Sequence, residues 1–318
     1  MTEKCFVLID GLNLFIRHYV AHPAISENGE QVGGIVGFLN FLSRFVSQYK
    51  PTDVYVVWES GGSIRKRNIF SDYKKKRKPQ KLNRYYEDIP DTLENRNEQI
   101  QFLIKILDFL PVCQIYVPDC EADDVIGYLC NNKYKNNRKA IVSSDRDYYQ
   151  LLNDKTLIYS PTWKKIVNFK EVLEKFKIHP ENFCLAKSIC GDPSDNISGI
   201  KGAGFKTIAK RYPSLCENKS LTISDIVDIS KDRISNGSQI KLYKNIIDNE
   251  DIIRRNWKLT YLDVSSLSFE HVKKIEYSID NFKSNCDKFK AIRLCLNKGI
   301  KTIDLNSLFL SFKNIGGN

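Results

Sequence analysis

The sequence is poor in the residues that build zinc, redox and membrane sites. Among 318 residues there are only 4 His, and the 9 Cys are scattered without a Cys-x-x-Cys pair, which argues against a metal site of the zinc type or a redox centre. No run of about eighteen apolar residues occurs, so no membrane-spanning helix is predicted. The first apolar run, Cys5–Ile9, is too short for a signal peptide. We therefore expect a cytoplasmic protein with reduced cysteines.

Standard glycine-rich nucleotide motifs are also missing. The stretch 198–207 contains Gly202 and Gly204, but it lacks the Gly-Lys-Ser/Thr of a P-loop and the preceding strand of a dinucleotide fold. The two glycines would let the backbone approach a phosphate, next to the start of a predicted helix. Lys206 adds positive charge there. A short Gly-x-Gly is also common in ordinary loops, so both interpretations stay open.

Positive charge is concentrated in one segment. The chain has 49 Lys and Arg against 38 Asp and Glu, a net charge of +11. Residues 61–86 contain ten of these cations and one acid, Asp72, so they carry most of the excess. Aromatic residues interleaved with the cations suit base stacking. The segment predicts a polyanionic partner, with nucleic acid favoured over acidic lipid or a plain solvated loop.

Short apolar runs alternate with helical patterns along the first half of the chain. Strands are predicted at Cys5–Ile9 and at residues 54–58, 114–117, 140–143 and 157–159. The alternation predicts an α/β fold with a central, mainly parallel sheet flanked by helices. In such sheets the functional site lies at the carboxyl ends of the strands.

Acidic residues follow four of these strands, and two more come later. They are Asp10, Glu59, Glu121, Asp123, Asp124, Asp145, Asp147, Asp192 and Asp195. Any one of them alone would be unremarkable as a helix N-cap. Together at one sheet edge they would repel one another unless cations neutralise them, and carboxylate oxygens suit Mg²⁺ or Mn²⁺. Nine carboxylates exceed the needs of one ion, which favours two ions, as in phosphodiester hydrolysis.

The acidic motifs, the basic segment and the Gly202–Thr207 stretch follow one another along the chain in an order that resembles the 5′-nuclease superfamily. This superfamily comprises flap endonucleases and the 5′-nuclease domain of bacterial DNA polymerase I. Leu8–Gly11, Glu121–Gly127 and Ser143–Asp147 resemble its acidic motifs. Gly191–Thr207 resembles the last acids and the helix–three-turn–helix element of the family. Tyr73–Arg77 resembles the motif at the base of its helical arch.

The resemblance also implies a domain arrangement. Residues 1–190 would form the α/β nuclease core, including a basic helical arch at 61–95 that is weakly ordered without DNA. Residues 191–318 would form the helix–three-turn–helix element and a C-terminal helical region packed on the core. Residues 159–165 and 258–262 are similar to the phage branch, which includes the T-even phage ribonuclease H. A phage enzyme would work in the host cytoplasm.

What the resemblance implies for function is a structure-specific 5′→3′ exonuclease and flap endonuclease. It would cut 5′-flap, nicked or branched DNA, and also RNA–DNA hybrids, as in primer removal. The nine carboxylates would hold two Mg²⁺ or Mn²⁺ ions, with Asp10 and Asp145 among the catalytic residues. Lys74 and Arg77 would neutralise charge at the scissile phosphate. DNA contacts are expected from Arg65, Lys66, Arg67, Tyr73, Lys75, Lys76, Lys78, Gly202, Gly204, Lys206 and Thr207.

Some implications remain open. Glu59 stands where the family usually has Asp, so its contact with metal is an open question, as is which of Arg65, Lys66 and Arg67 contacts phosphate. The carbonyl oxygens of the helix–three-turn–helix element are candidate ligands for K⁺. We expect a monomer, with a single-stranded-DNA-binding protein or sliding clamp as a candidate partner. The apolar tail 303–312 would pack on the body or contact such a partner, and packing is favoured.

Two other functions fit part of the pattern. A PIN-like metal-dependent endoribonuclease would share the acids and the α/β fold, but it would not need the basic arch or the helix–three-turn–helix element. A catalytically silent protein that binds branched DNA would not need so many carboxylates beside phosphate. Fold-level kinship alone does not decide among the three.

Overall fold

The computed structural model describes residues 4–59, 61–75, 92–313 and 315. Residues 76–91 of the expected arch lie outside these ranges, and they include three of the residues named above as catalytic or as DNA contacts. These three are Lys76, Arg77 and Lys78.

A six-stranded sheet forms the centre of the protein, with the strand order β3-β2-β1-β4-β5-β6. Strands β1 to β5 are parallel, and β6 runs antiparallel to β5. The strands are β1 (Cys5–Asp10), β2 (Asp53–Trp58), β3 (Val112–Tyr116), β4 (Arg138–Val142), β5 (Thr156–Ser160) and β6 (Lys165–Val167). The apolar runs found in the sequence are therefore buried parallel strands, covered on both faces. The predicted fold class is confirmed.

The described residues also form fourteen α-helices and a short two-stranded ribbon. The helices are α1 (Gly11–Ala21), α2 (Gly33–Tyr49), α3 (Ile64–Ile69), α4 (Leu93–Leu107), α5 (Ala122–Tyr128), α6 (Phe169–Phe176), α7 (Phe183–Cys190), α8 (Phe205–Arg211), α9 (Ile223–Ser235), α10 (Lys241–Asp248), α11 (Glu250–Thr260), α12 (Phe269–Asp280), α13 (Lys288–Asn297) and α14 (Leu305–Ser311). The ribbon pairs β7 (Gly191–Asp192) with β8 (Ile197–Ser198). None of these helices combines the length and the apolar character needed to cross a bilayer.

The order of the strands fixes where a site can form. The chain moves outward from β1 through β2 to β3 and then returns to place β4 on the other side of β1. Strand order therefore reverses between β1 and β4, and the crevice at their carboxyl ends is the topological switch point of the sheet. Asp10 ends β1 at this crevice, and Ser143–Asp145 follow β4 into it.

The two faces of the sheet carry separate hydrophobic cores. Helices α1, α2 and α4 cover one face, with Phe15, Phe38 and Leu103 fully buried among them. Helix α14 packs on α2 and buries Leu308 and Phe312 in this core, so the favoured expectation for the C-terminal tail is confirmed. The other face is covered by α5 and by α6 to α12, whereas α13 packs with α14 in the first core.

Residues 61–75, the described start of the expected arch, form a helix and a turn that are packed on the body. Ser63 caps α3 by accepting a hydrogen bond from the backbone N–H of Lys66. Tyr73 is buried, and the backbone N–H of Lys74 donates to the carbonyl of Asp195 at 2.9 Å. The expectation of weak order is therefore wrong for residues 61–75, and residues 76–91 lie outside the described part of the chain.

Candidate metal centre

Asp10 lies at the switch point and is held from three sides. Its Oδ1 caps α1 by accepting from the N–H of Asn13, while its Oδ2 accepts from Ser143 Oγ at 3.3 Å and from Tyr148 Oη at 3.1 Å. Burial raises its pKa to about 7, and the charges of Asp145 and Glu59 add to this rise. Asp10 is thus both a helix cap and a member of a carboxylate cluster.

Three acids at the start of α5 form the tightest cluster, which we call the α5 group: Glu121, Asp123 and Asp124. One carboxylate oxygen of each lies within 4.8 Å of the others. Glu121 occupies the N-cap position of α5 but makes no capping hydrogen bond. Its carboxylate pairs instead with Lys66 and Lys74. Because this acid does not stabilise the helix end, its position indicates a functional site.

A buried lysine occupies the middle of the α5 group. Lys66 Nζ lies 2.8 Å from Glu121 Oε2 and 3.2 Å from both Asp123 Oδ1 and Asp124 Oδ2, and its side chain is 1% exposed. Lys74 Nζ reaches the other oxygen of Glu121 at 2.6 Å. Lys66, which was expected among the DNA contacts, therefore neutralises carboxylates in this structure.

The pKa values of two acids in the α5 group, Glu121 and Asp124, are shifted in opposite directions. Burial raises the pKa of Glu121, but Lys66 and Lys74 outweigh it and hold that pKa at about 2. Burial raises the pKa of Asp124 to about 7, and the charges of Asp123 and Glu121 add to this rise against the opposing charge of Lys66. Its Oδ1 is buried and has no hydrogen-bond partner among the described residues. An additional cation would be stabilised most strongly at this oxygen.

A second lysine joins acids from two different elements. Lys187, on α7, forms an ion pair with Asp147 and lies 2.7 Å from Asp192 Oδ2. We call these two acids the Lys187 pair. Burial raises the pKa of Asp192, but Lys187 and the hydrogen bonds from Ser194 outweigh it, so the pKa falls below its usual value. This side of the crevice is more open, since the side chain of Asp192 is 17% exposed.

The remaining acids connect these two groups. Asp145 follows β4, caps the next turn by accepting from the N–H of Asp147, and raises the pKa of Asp10. Glu59 follows β2 at the same edge and adds to that rise. Asp195 lies close to Tyr73 and Lys74, whose pKa values it raises after the larger contributions of their other neighbours. Pairwise contacts thus connect the nine predicted carboxylates, but among the described residues only the α5 group brings three of them within 4.8 Å of one another.

The residues present fit divalent cations. In the described part of the chain, the five acids of the α5 group and the Lys187 pair form their ion pairs with three lysines, Lys66, Lys74 and Lys187, so negative charge exceeds positive charge within these two groups. All the clustered ligands are oxygens, the donor type that Mg²⁺ and Mn²⁺ prefer. The ammonium of Lys66 already shows that a cation is stabilised within the α5 group, and the orphaned Asp124 Oδ1 offers one more ligand.

The predicted DNA contacts are distributed over two surfaces. Of the three adjacent cations on α3, Arg65 is half-buried and donates to the carbonyl of Lys258, Lys66 is buried, and Arg67 is exposed. Lys75 is exposed and pairs with Asp72. On the second surface, Gly202, Gly204, Lys206 and Thr207 are all exposed. These DNA contacts remain predictions.

Sequence reasoning did not identify two members of the centre. Lys187 lies inside an apolar helical pattern, and Tyr148 donates to Asp10 from a turn after Asp147. The only signal in the sequence for Lys187 was a lysine among apolar neighbours, directly before the Gly191-Asp192 motif. Such a lysine is expected to need a buried counter-charge.

Comparison with known proteins shows which family the chain belongs to and which solved structures share its fold. The family model described as 5′-3′ exonuclease, N-terminal resolvase-like domain, matches residues 5–177. A 5′-3′ exonuclease of Aquifex aeolicus is 30% identical over 217 residues, covering 67% of this chain and 71% of the relative. DNA polymerase I of Bacillus subtilis is 32% identical over 66% of this chain, but the match covers only 23% of that polymerase.

A solved structure extends the similarity to nearly the whole chain. The bacteriophage T5 D15 flap endonuclease, solved as a pseudo-enzyme-product complex with DNA and metal ions, superposes with a TM-score of 0.62 at 19% identity. The superposition covers 96% of this chain and 100% of the phage protein. Fold and site together define an α/β nuclease with an acidic centre. The chain belongs to the 5′-3′ exonuclease family.

Proposed function

We propose that this nuclease is structure-specific and hydrolyses phosphodiester bonds at 5′ flaps and in nicked or branched duplex DNA, and also in RNA–DNA hybrids, during primer or flap removal. One observation carries the proposal: the base of the basic segment is anchored in the acidic crevice. Lys74 donates from its backbone to Asp195 and from Nζ to Glu121, so a phosphate bound by this segment would lie at the carboxylates.

Two Mg²⁺ or Mn²⁺ ions are the proposed cofactors. The α5 group and Asp10 would hold the tighter ion, with Glu59 beside them. The second ion would be held by Asp145, Asp147, Asp192 and Asp195. Bound there, the two ions would activate a water molecule and stabilise the leaving oxygen of the broken bond.

The chain's own cations position the substrate. Lys74 is half-buried and already faces the carboxylates, so it can exchange Glu121 for a phosphate oxygen without moving far. Arg77 is assigned the same task by the sequence. Tyr73 donates to Glu121 at 3.0 Å and thereby fixes the carboxylate that Lys74 leaves. Among the three cations of α3, we assign the phosphate contact to Arg67, because it is the exposed one.

The duplex is proposed to bind at a distance from the cut. Gly202 has a φ of +87° and no atom within 4 Å of the position that a Cβ would occupy, so its backbone is bare. Gly204 is equally open, and Lys206 and Thr207 are exposed beside it. Such a loop fixes position without reading sequence, and its carbonyls are the proposed site for K⁺.

The proposed organisation is the one that the family resemblance implies. Residues 1–190 would form the nuclease core and 191–318 the duplex-binding and C-terminal part, and the packing of α14 on α2 supports a C-terminal region packed on the core. We propose a monomer that a single-stranded-DNA-binding protein or a clamp recruits. Because the apolar side of the C-terminal tail is buried, a partner would contact its exposed side, which carries Leu310.

A cleavage assay tests this function and its alternatives. The substrates are a 5′-labelled flap, a nicked duplex, an RNA–DNA hybrid and a single-stranded RNA, each with Mg²⁺ or with EDTA. We expect Mg²⁺-dependent cutting of the first three. Cutting of the single-stranded RNA alone would support the endoribonuclease, and binding without any cutting would support the silent DNA-binding protein. Asp145→Asn should abolish cutting and preserve binding, which excludes a contaminating nuclease.

A further inference from the structure

The turn between β5 and β6 is fixed to the edge of the metal centre. Thr162 Oγ1 accepts from Arg17 Nη1 at 2.8 Å and lies 2.8 Å from Ser144 Oγ. Ser144 directly precedes Asp145. The next residue in the turn, Trp163, is 43% exposed, which is unusual for the largest apolar side chain. An exposed aromatic side chain therefore follows directly after Thr162, the residue that contacts Ser144.

A pocket of about 610 Å³ opens between this hairpin and α6. Trp163 forms one wall, and Tyr149, Val172 and Phe176 contribute apolar surface. Tyr149 comes two residues after Asp147, so the chain links the pocket to the centre there as well as through Thr162. Phe176 also packs against Phe205 at the start of α8, with ring centroids 5.5 Å apart. The pocket is thus connected by the chain to the metal centre and by a ring contact to α8.

The polar groups around the pocket match a nucleotide. Lys175 Nζ lies 4.6 Å from the centroid of the Trp163 ring, and Lys165 lines the rim. Glu171 accepts from Lys165 through Oε1 at 3.1 Å, while its Oε2 is buried and no described residue forms a hydrogen bond with it. A flat aromatic face suits a base, the lysines suit flanking phosphates, and the orphaned oxygen suits the N–H edge of a base.

We propose that this pocket binds one unpaired nucleobase of the DNA held at the metal centre, stacked on Trp163. The proposal rests on the proposed function for its substrate class, and it adds a contact that the carboxylates and the basic segment do not supply. Lys175 would leave the ring and pair with the neighbouring phosphate. The exchange is favourable: stacking of a base on an aromatic side chain is worth about five- to 150-fold in affinity, whereas a cation on an exposed ring is worth about two- to fivefold.

The test combines a protein variant with a DNA variant. Binding is measured by fluorescence anisotropy on the full chain in EDTA, and again with Mg²⁺ in the Asp145→Asn background. The probe is a 5′-flap duplex in which one unpaired nucleotide at a time is replaced by an abasic tetrahydrofuran. Trp163→Ala should weaken binding about tenfold, and one abasic position should do the same. Together they should weaken binding no more than either alone, because both remove the same contact.

The controls separate stacking from unfolding. Trp163→Phe keeps a ring and should retain most of the affinity. Phe289→Ala removes an aromatic residue that is 85% exposed on α13, outside the pocket, and should change nothing. Thermal melts of each variant check folding.

The outcomes distinguish this proposal from the function itself. Trp163→Ala binding every probe like the unaltered chain, or effects that simply add, would overturn the pocket while cleavage still stands. A chain that binds with the expected dependence on Trp163 but cuts no substrate would support the pocket and overturn the nuclease function. A chain that binds no probe at all would overturn the pocket as well.

Discussion

The α5 group and the Lys187 pair hold their lysines in different ways. In the α5 group, three acids within one turn of one helix surround a lysine whose side chain is 1% exposed. In the Lys187 pair, two acids from distant parts of the chain meet a lysine that is 8% exposed. The first arrangement is local, and the second depends on several elements and is slightly more exposed.

The difference indicates a division of labour between the two sides of the crevice. Burial makes each carboxylate of the α5 group costly unless a cation is present, so this side should bind a metal ion most tightly. The Lys187 pair is better hydrated and therefore needs a cation less. We expect the tighter ion on the α5 side and a weaker, more exchangeable ion on the other side.

The largest expected effect comes from removing one carboxylate from each side. Asp124→Asn deletes a buried carboxylate whose Oδ1 has no hydrogen-bond partner among the described residues, so cleavage should fall by about 10³-fold or more, since a lost cation removes several kcal/mol of transition-state stabilisation. Asp192→Asn should cost less, about 10²-fold. Single-turnover cleavage and Mg²⁺ titration calorimetry measure both effects. Equal losses of Mg²⁺ affinity in the two variants would contradict the asymmetry.

The second effect concerns stability. Lys66→Met removes the shared cation of the buried Glu121 and Asp124 and the partly buried Asp123, leaving Lys74 paired with Glu121, and should lower the free energy of unfolding by about 3–5 kcal/mol in EDTA. Mg²⁺ should restore much of the loss, because the ion neutralises the same acids. Lys187→Met should follow the same pattern with a smaller loss. Lys133→Met, which breaks an ion pair with Glu276 that is about one quarter exposed, is the control and should cost about 1 kcal/mol or less. Urea denaturation with and without Mg²⁺ gives these values, and no rescue by Mg²⁺ would be inconsistent with a metal site at the α5 group.

A third effect separates chemistry from binding at the entrance to the α5 side. Lys74→Ala should slow cleavage about 10²-fold while weakening affinity for flap DNA only a few-fold, because its ammonium acts on charge that develops at the phosphate. Lys75→Ala is the matched neighbour, with a side chain that is 72% exposed, and should leave the cleavage rate nearly unchanged. Rates at saturating enzyme and anisotropy give the two quantities. A fall in affinity as large as the fall in rate would make Lys74 a binding residue only.

The smallest effect is a dependence on pH. Asp10 has its pKa raised from 3.8 to about 7, so without cations its contribution to folding is complete below pH 4 and is lost as the pH rises through 7. A metal ion needs the ionised form, so the affinity for Mg²⁺ should rise up to tenfold per unit below pH 7 and level off above it. Asp10→Asn should flatten this rise in calorimetric titrations. An unchanged slope would assign the proton to another residue.

Much of the centre could be predicted from the sequence because acids follow strands. A parallel sheet brings the carboxyl ends of its strands to one edge, so Asp10, Glu59 and Asp145 had to be near one another once the strands were recognised. The family resemblance is confirmed by the family model. The prediction that the whole start of the arch is weakly ordered failed because Lys66 and Tyr73 have buried partners on α5.

The sequence by itself determined the strands, the acids that follow them and the basic segment, since these depend on local patterns of apolar and charged residues. Only the tertiary structure decided which cations sit among which acids. From the sequence, Lys66 was predicted to contact DNA and Lys187 was not identified as a site residue. Each is a buried counter-charge because elements from distant parts of the chain converge on the switch point. The tertiary structure also placed Thr162, in the turn that carries Trp163, beside Ser144. Long-range packing, which no local pattern encodes, sets these contacts.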